Sequence, residues 1–427
     1  MKNVCVIGGG AAGLMAAYAA AKNGHRVILF EKNEKLGKKI YITGKGRCNF
    51  TNDCSLEEFF QNIVNGEKFL KSALYAFSPQ NAMEFFENHG LTIKTERGNR
   101  VFPASDHASD VTKTLEKACK SVGVDVRLNE KVLYFKHTMP DIIPMPGIGD
   151  STSQDIIPTS GILLLKTEKG EYFCDNIIVA TGGVSYPSTG STGDGYSFAK
   201  TIGHTVTPLY SGLCGVNLSN DGLADLQGLA LKNVQITAKQ GSKTVFNDFG
   251  ELLFTHFGVS GPIVLSMSSK INRLPLQNLS VTLDLKPALD ENTLDKRILR
   301  DFETFKNKQI GNALNALLPQ KLIPFVLKYC NIPLQKNVSI ITKEERTRLC
   351  KTMKALPLYV ESLRGFNEAI ITSGGIALSE INPKTMESKK MAGVKFCGEV
   401  LDVDAFTGGF NMQIAFATGF AAGNTIE

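Results

Sequence analysis

The segment NVCVIGGGAAGLMAAYAAAKNGHRVILFE, residues 3–31, constrains the fold more than any other. A β-branched run stops at three glycines, small apolar residues follow to Asn23-Gly24, and a second apolar run ends in an acid. This reads as strand, tight turn, helix and strand, one βαβ unit of an α/β layer architecture. Gly8, Gly10 and Gly13 match G-x-G-x-x-G directly between strand and helix. There the missing Cβ atoms let the backbone approach a pyrophosphate at a helix N-terminus. Glu31 follows Gly8 by 23 residues, where a carboxylate can accept hydrogen bonds from ribose hydroxyls. The motif alone does not separate NAD from FAD. Lys2 and the apolar run after it superficially resemble a secretory signal, but the glycines interrupt that run and cleavage after Ala21 would remove the motif.

Helical patterns follow in PQNAMEFFENHG and DHASDVTKTLEKACKSVG, each closed by a glycine suited to a left-handed cap and each followed by a short strand, LTIKTE and VDVRLN. Residues 138–160 carry four prolines and the tetrapeptide Asp-Ile-Ile-Pro twice, between two alternating segments suited to pair with each other. The expectation is a surface excursion between two strands. From about 206 to 290 short strands such as NVQITAKQ, KTVFND and LSVTLDL suggest an antiparallel sheet or small barrel. Residues 291–355 read as helical, with Thr342 and Glu345 spaced as a capping box ahead of Leu349, Met353 and Leu356. The expected domains are therefore 1–192 and 357–427 forming a nucleotide-binding unit, with 193–356 inserted.

A second glycine turn narrows the cofactor. NIIVATGG, residues 176–183, is a strand stopping at glycines, and VKFCGEVLDVDAFTGGFNMQIAFATG is a strand, an acidic loop and a glycine turn opening a helix. A helix N-terminus carries partial positive charge, which suits a flavin ring that becomes anionic on reduction and has no counterpart in NAD.

These stretches, with GKKIYITGKGRCNFTN, VATGGVSYPSTGSTGDGY, GELLFTHFGVSGP and ITSGGIALSEINPKTMESK, span nearly the whole chain. Together they resemble the two-dinucleotide-binding-domain flavoproteins, and closely the aminoacetone-oxidase and bile-acid-reductase-like (BaiN-like) branch. The resemblance implies FAD, a Rossmann-like, glutathione-reductase-like FAD domain and an inserted β-barrel plus helical domain, without fixing a substrate. It places Gly8, Gly10, Ala12, Gly13, Glu31 and Lys32 on the ADP half of FAD. Lys38, Gly44, Arg47, Cys48 and Asn49 would run beside the pyrophosphate and ring, and Val132 would meet the adenine through its backbone. Ala180, Thr181, Gly182 and Gly183 would line the cofactor. Relatives of the wider superfamily carry Gly-Asp where this chain has Gly398-Glu399 with Asp402 and Asp404 nearby, so one of these three carboxylates would hold the ribityl chain. Gly409, Phe410 and Asn411 would face the pyrimidine edge.

His256, inside a matched motif, is a candidate proton donor, as is Arg47, although a hydrogen-bonded structural histidine is the commoner outcome. Cys48 lies between basic residues but has no second cysteine at exchange distance, so a structural role beside the flavin is preferred. The nine cysteines include no C-x-x-C pair and no metal set, which suits reduced cytoplasm. Lys plus Arg number 47 against 41 Asp plus Glu, read as a mild excess spread along the length rather than a nucleic-acid stripe. The expected protein is thus a cytoplasmic FAD oxidoreductase, monomeric or weakly oligomeric, acting on a small molecule. It would pass a hydride through flavin N5 between an organic substrate or NAD(P)H and oxygen or an activated double bond. An RNA-associated, tRNA-modifying flavoprotein and a flavin redox sensor without turnover are the alternatives.

Overall fold

The computed structural model describes residues 1–138 and 161–427, so the proline-rich stretch lies, Thr138 aside, outside the described residues. The chain forms two compact units, Met1–Leu209 with Ile371–Glu427, and Tyr210–Ile370. The division falls later than the motif boundaries 192/193 and 356/357. Residues 193–209 belong to the first unit because they bond within it: Asp194 pairs with Lys32 at 2.6 Å, and Val206 bridges Ile376. At the other end, Leu356–Leu358 and Val360–Leu363 are strands of the second unit's sheet.

The first unit is built on a five-stranded parallel sheet. In chain order its strands are β1 (Asn3–Ile7), β2 (Arg26–Glu31), β3 (Asp125–Leu128), β4 (Asn176–Val179) and β5 (Val394–Phe396), arranged β5-β4-β1-β2-β3. Val6, Leu29, Ile178 and Phe396 are fully buried, as both faces of a parallel sheet require. Helix α1 (Ala11–Lys22) is buried from Ala11 to Ala21, and helix α2 (Phe410–Asn424) packs on it. A side chain at Gly419 would strike the Ala12 carbonyl, and one at Gly423 would strike the Ala16 carbonyl and lie 2.9 Å from the Ala20 amide. Two glycines one turn apart therefore let the helix backbones touch. The two helices expected between β2 and β3 form as Pro79–Asn88 and Ala108–Ser121, and Gly90 and Gly123 take the left-handed conformation behind them. Val132–His137 and Leu163–Thr167 pair antiparallel, so the segments flanking the proline-rich stretch meet.

The second unit holds a seven-stranded antiparallel sheet. Its long hairpin, Ala230–Gln240 with Lys243–Phe254, is continued on one side by Leu279–Asp284 and Leu356–Leu358 and on the other by Gly258–Ser260, Val216–Leu218 and Val360–Leu363. The two edge strands are separated in the chain by Tyr359 alone, which curls the sheet toward a barrel. Helices Glu291–Thr304, Leu322–Tyr329 and Lys343–Lys354 supply Leu294, Ile298, Val326, Leu349 and Met353 to its core. The capping box forms: Glu345 N donates to Thr342 Oγ1 at 3.2 Å and Thr342 N to Glu345 at 2.9 Å. Leu356 is buried as expected, but in a strand beyond that helix.

Charge divides unevenly between the units, contrary to the even spread read from the sequence. Tyr210–Ile370 holds 20 Lys and Arg against 14 Asp and Glu, whereas the rest of the chain holds 27 of each. The whole net charge of +6 belongs to the second unit.

Candidate active site

The site candidates of the first unit gather at the carboxyl edge of its sheet, where open α/β sheets bind ligands. Gly8 leaves β1 at φ +104°, and a side chain there would lie 2.6 Å from the Ala180 carbonyl beyond β4. A side chain at Gly13 would collide with the Gly8 carbonyl. Only glycines permit this meeting of turn, helix and neighbouring strand. Gly10 caps α1 without a side-chain bond, no acid stands in the first turn, and a Cβ there would meet nothing within 4 Å. The helix thus presents its positive end to open space, a cradle suited to phosphate.

Glu31 is buried at the end of β2. Its carboxylate accepts from the Gly9 amide at 2.8 Å and from the Asn33 amide and side chain at 2.8 and 2.6 Å. This fixes the acid beside the turn. The segment leading to Val132 runs alongside, with Asn129 N on Asn33 O and Glu130 N on Glu31 O, and Val132 is buried opposite Thr167. Lys32 reaches Asp194 and Thr192, and Lys38 lies 3.4 Å from Asn33 Oδ1.

Beyond β5, a side chain at Gly398 would meet the Ala12 methyl at 2.7 Å, so the last strand's turn also touches α1. Glu399 accepts from Lys39 Nζ (2.7 Å), Ser185 Oγ (2.9 Å) and the Thr372 amide (2.8 Å). Thr372 Oγ1 in turn accepts from the Val184 and Ser185 amides, bracing the chain just after Thr181, Gly182 and Gly183. Asn33, Lys39, Ser185 and Thr372 escaped the sequence reading. Lys39 had a signal, being the next residue after Lys38, whereas Thr372 is brought in only by the fold.

The second glycine turn meets the GRCNF stretch. Gly409 starts α2 at φ +95° with its Cα hydrogens against the Thr51 backbone, and Asn52 Nδ2 donates to Gly408 O at 2.9 Å. Gly44, Lys45, Gly46 and Cys48 all have positive φ, a strained run next to this junction. Asn49 is buried, its amide donating to Thr51 O and Val101 O, while its Oδ1 has no partner among the described residues. Cys48 is fully buried and burial pushes its thiol well above the ordinary range, which removes it as a reactive thiolate.

Several candidates are engaged by protein partners. Arg47 is clamped by Glu96 and Asp106 and stacks over Phe102 at 4.3 Å. Those carboxylates raise its pKa further and hold the guanidinium cationic. Asp402 faces Asn65 (2.9 Å) and Thr207 (3.1 Å), and Asn411 spends both ends of its amide on Ala405 and Phe406. Phe410 packs edge-on against Phe59. His256 belongs to the second unit, exposed between two strands with its ring edge-on to Phe257 at 5.1 Å. Among the described residues no group of three or more His, Cys, Asp or Glu could hold a metal, and no helix is long and apolar enough to cross a membrane.

A parallel sheet with an open glycine turn, an acid closing its second strand and a second left-handed glycine start at a later helix defines a Rossmann-type FAD-binding domain. Residues 2–425 match the family described as HI0933-like protein Rossmann domain, and the chain belongs to that family, a group of FAD-dependent oxidoreductases. It is 29% identical over 429 residues to the 3-dehydro-bile acid delta(4,6)-reductase of Clostridium scindens, covering 99% of this chain and 98% of that one. It is 30% identical over 421 residues to the ribosomal RNA dihydrouridine synthase of Escherichia coli, covering 97% and 96%. Among solved structures, 3-ketosteroid delta1-dehydrogenase from Sterolibacterium denitrificans shares the fold with a TM-score of 0.51 and 12% identity, covering 99% of this chain and 98% of that one.

Proposed function

We propose that the protein is an FAD-dependent reductase that saturates a carbon–carbon double bond conjugated to a carbonyl, with NAD(P)H as the external electron donor. The observation that carries this reading is the chemistry common to both full-length relatives. Double bonds at positions 4 and 6 of a 3-oxo steroid and the double bond of the uracil ring are both polarised by a carbonyl. Each accepts a hydride at the carbon remote from the carbonyl and a proton at the adjacent one.

The carboxyl edge of the sheet fits FAD: the open cradle at Gly10 and the Asn49 Oδ1, without a partner among the described residues, are what a bound dinucleotide would meet. In this reading the α1 amides after Gly8, Gly10 and Gly13 hold the pyrophosphate and Glu31 accepts from the ribose. Glu399, with Lys39 and Ser185, holds the 182–185 turn in place. The amides opening α2 at Gly409 favour negative charge on the pyrimidine side of the ring. When bound, FAD supplies the hydride acceptor and donor; the chain binds, orients and excludes water.

The test is anaerobic. The holoenzyme is reduced with NADH or NADPH and mixed with a 3-oxo-4,6-diene steroid or with uridine-containing RNA, following flavin absorbance and the saturated product. Reoxidation with saturated product from either is expected. In a parallel aerobic arm, reoxidation by oxygen with neither substrate saturated would make the protein an oxidase, and reduction without any turnover would make it a sensor; either defeats the proposal.

A further inference from the structure

Resting on that reading and narrowing its substrate, we infer that the outer face of the second unit's hairpin is a binding platform for single-stranded RNA. The two strands, Ala230–Gln240 and Lys243–Phe254, bury Val234, Ile236 and Ala238 in the core on one side. On the other side they present Gln235 and Thr237, directly opposite Phe249 and Asn247. Asn247 Oδ1 accepts from Gln235 Nε2 at 2.8 Å and Thr237 Oγ1 at 3.1 Å, which aligns these side chains in one layer and leaves the Asn247 amide hydrogens to donate. Beside this polar layer Phe249 is 56% exposed, with no core to fill.

Lys239 and Lys243 are exposed at the turn end of the same hairpin. Of the neighbouring carboxylates, Asp284 is held by Lys354 at 2.6 Å and Asp248 accepts from the Phe249 amide at 2.8 Å, while Glu251 is exposed on the same strand two residues beyond Phe249. An aromatic ring, aligned amides and flanking lysines on an open sheet are the three things an unpaired polynucleotide recognises: a surface to stack a base, donors and acceptors for its edge, and cations for phosphate. The charge division agrees, because the excess of 20 basic over 14 acidic residues lies in this unit and the first unit is neutral.

The probe is a fluorescein-labelled 20-nucleotide oligouridylate, titrated with holoenzyme by anisotropy at two salt concentrations. Binding that weakens with salt is expected. Phe249→Ala should weaken it roughly tenfold by removing one stacked base. The double change Lys239→Glu with Lys243→Glu should weaken it at least as much and flatten the salt dependence by about two phosphate contacts. FAD content and melting temperature serve as fold controls and should not move in either variant. Absence of binding at low salt, or binding unaltered by both variants, overturns the platform, as does a Phe249-dependent dimer that takes up no RNA. Reduction of the dienone steroid separates the two proposals. RNA binding without saturation of any conjugated bond sinks the reductase reading and keeps the platform; saturation without RNA binding does the reverse.

Discussion

The two units solve different problems with different residues. In the first, function depends on backbone approaching backbone: Gly8 against Ala180, Gly409 against Thr51, Gly419 and Gly423 against α1. Its charges cancel, and the acids Glu31 and Glu399 are committed to internal hydrogen bonds. In the second, the core is ordinary apolar packing and the distinctive features are on the surface, in exposed lysines and Phe249. A substitution should therefore act through collision in the first unit and through charge or exposed area in the second.

The sharpest way to break this contrast is Gly419→Val. The added side chain must displace the α1 backbone, and a loss of more than ~3 kcal/mol with loss of FAD is expected in urea unfolding followed by flavin release. Gly228→Ala in the second unit is the matched control: φ is +82° but nothing lies within 4 Å, so about 1 kcal/mol of strain is expected. Equal effects would erase the distinction.

Lys395 sharpens it by pH. Its ammonium is buried on β5 and donates to Thr425 O and Oγ1 behind α2, and burial lowers its pKa from 10.5 to about 8. Between those values the unfolded chain binds the proton that the folded chain has released, so stability rises with pH across that window. Relative to Lys395→Met, the native protein should gain on the order of 2–3 kcal/mol from pH 8 to 10.5 in paired denaturation curves. A flat difference would show that the amine is not desolvated.

Glu31→Ala removes the acceptor of three hydrogen bonds beside the glycine turn, and FAD affinity should fall roughly tenfold or more in titrations of the apoprotein. Thr342→Ala, in the second unit, loses only a helix cap and should cost ~1 kcal/mol without altering flavin binding. Smallest of all, His256→Ala should leave stability within ~0.5 kcal/mol and FAD affinity within about threefold, because the ring is exposed. A large change in flavin affinity would place His256 in the cofactor grip instead.

How legible each part was follows from the range of the forces involved. The βαβ unit, the helices ending at Gly90 and Gly123 and the Thr342 cap depend on neighbours a few residues apart, and sequence spacing is enough to read them. Glycine positions in the cradle were legible for the same reason. Bonding partners were not, since Glu399 finds Lys39 360 residues away and Asn411 turns back on its own loop. Arg47 read from its basic stretch as a residue beside the cofactor, and its carboxylate partners Glu96 and Asp106 arrive from other elements. The charge division was countable from the start but invisible without knowing where one unit ends.

The docking of α2 on α1 also sets an order of events during synthesis. The residues that pair with the first helix emerge from the ribosome some four hundred positions after it, and β5 emerges only shortly before them. Until then α1 has an uncovered face of small residues and the parallel sheet lacks an edge strand, while all strands of the intervening unit are already available to one another. The inserted unit can thus complete its own core during translation, and the nucleotide-binding unit closes afterwards. Cofactor capture becomes a post-translational step, and truncations that spare every N-terminal glycine would still leave a chain unable to retain flavin.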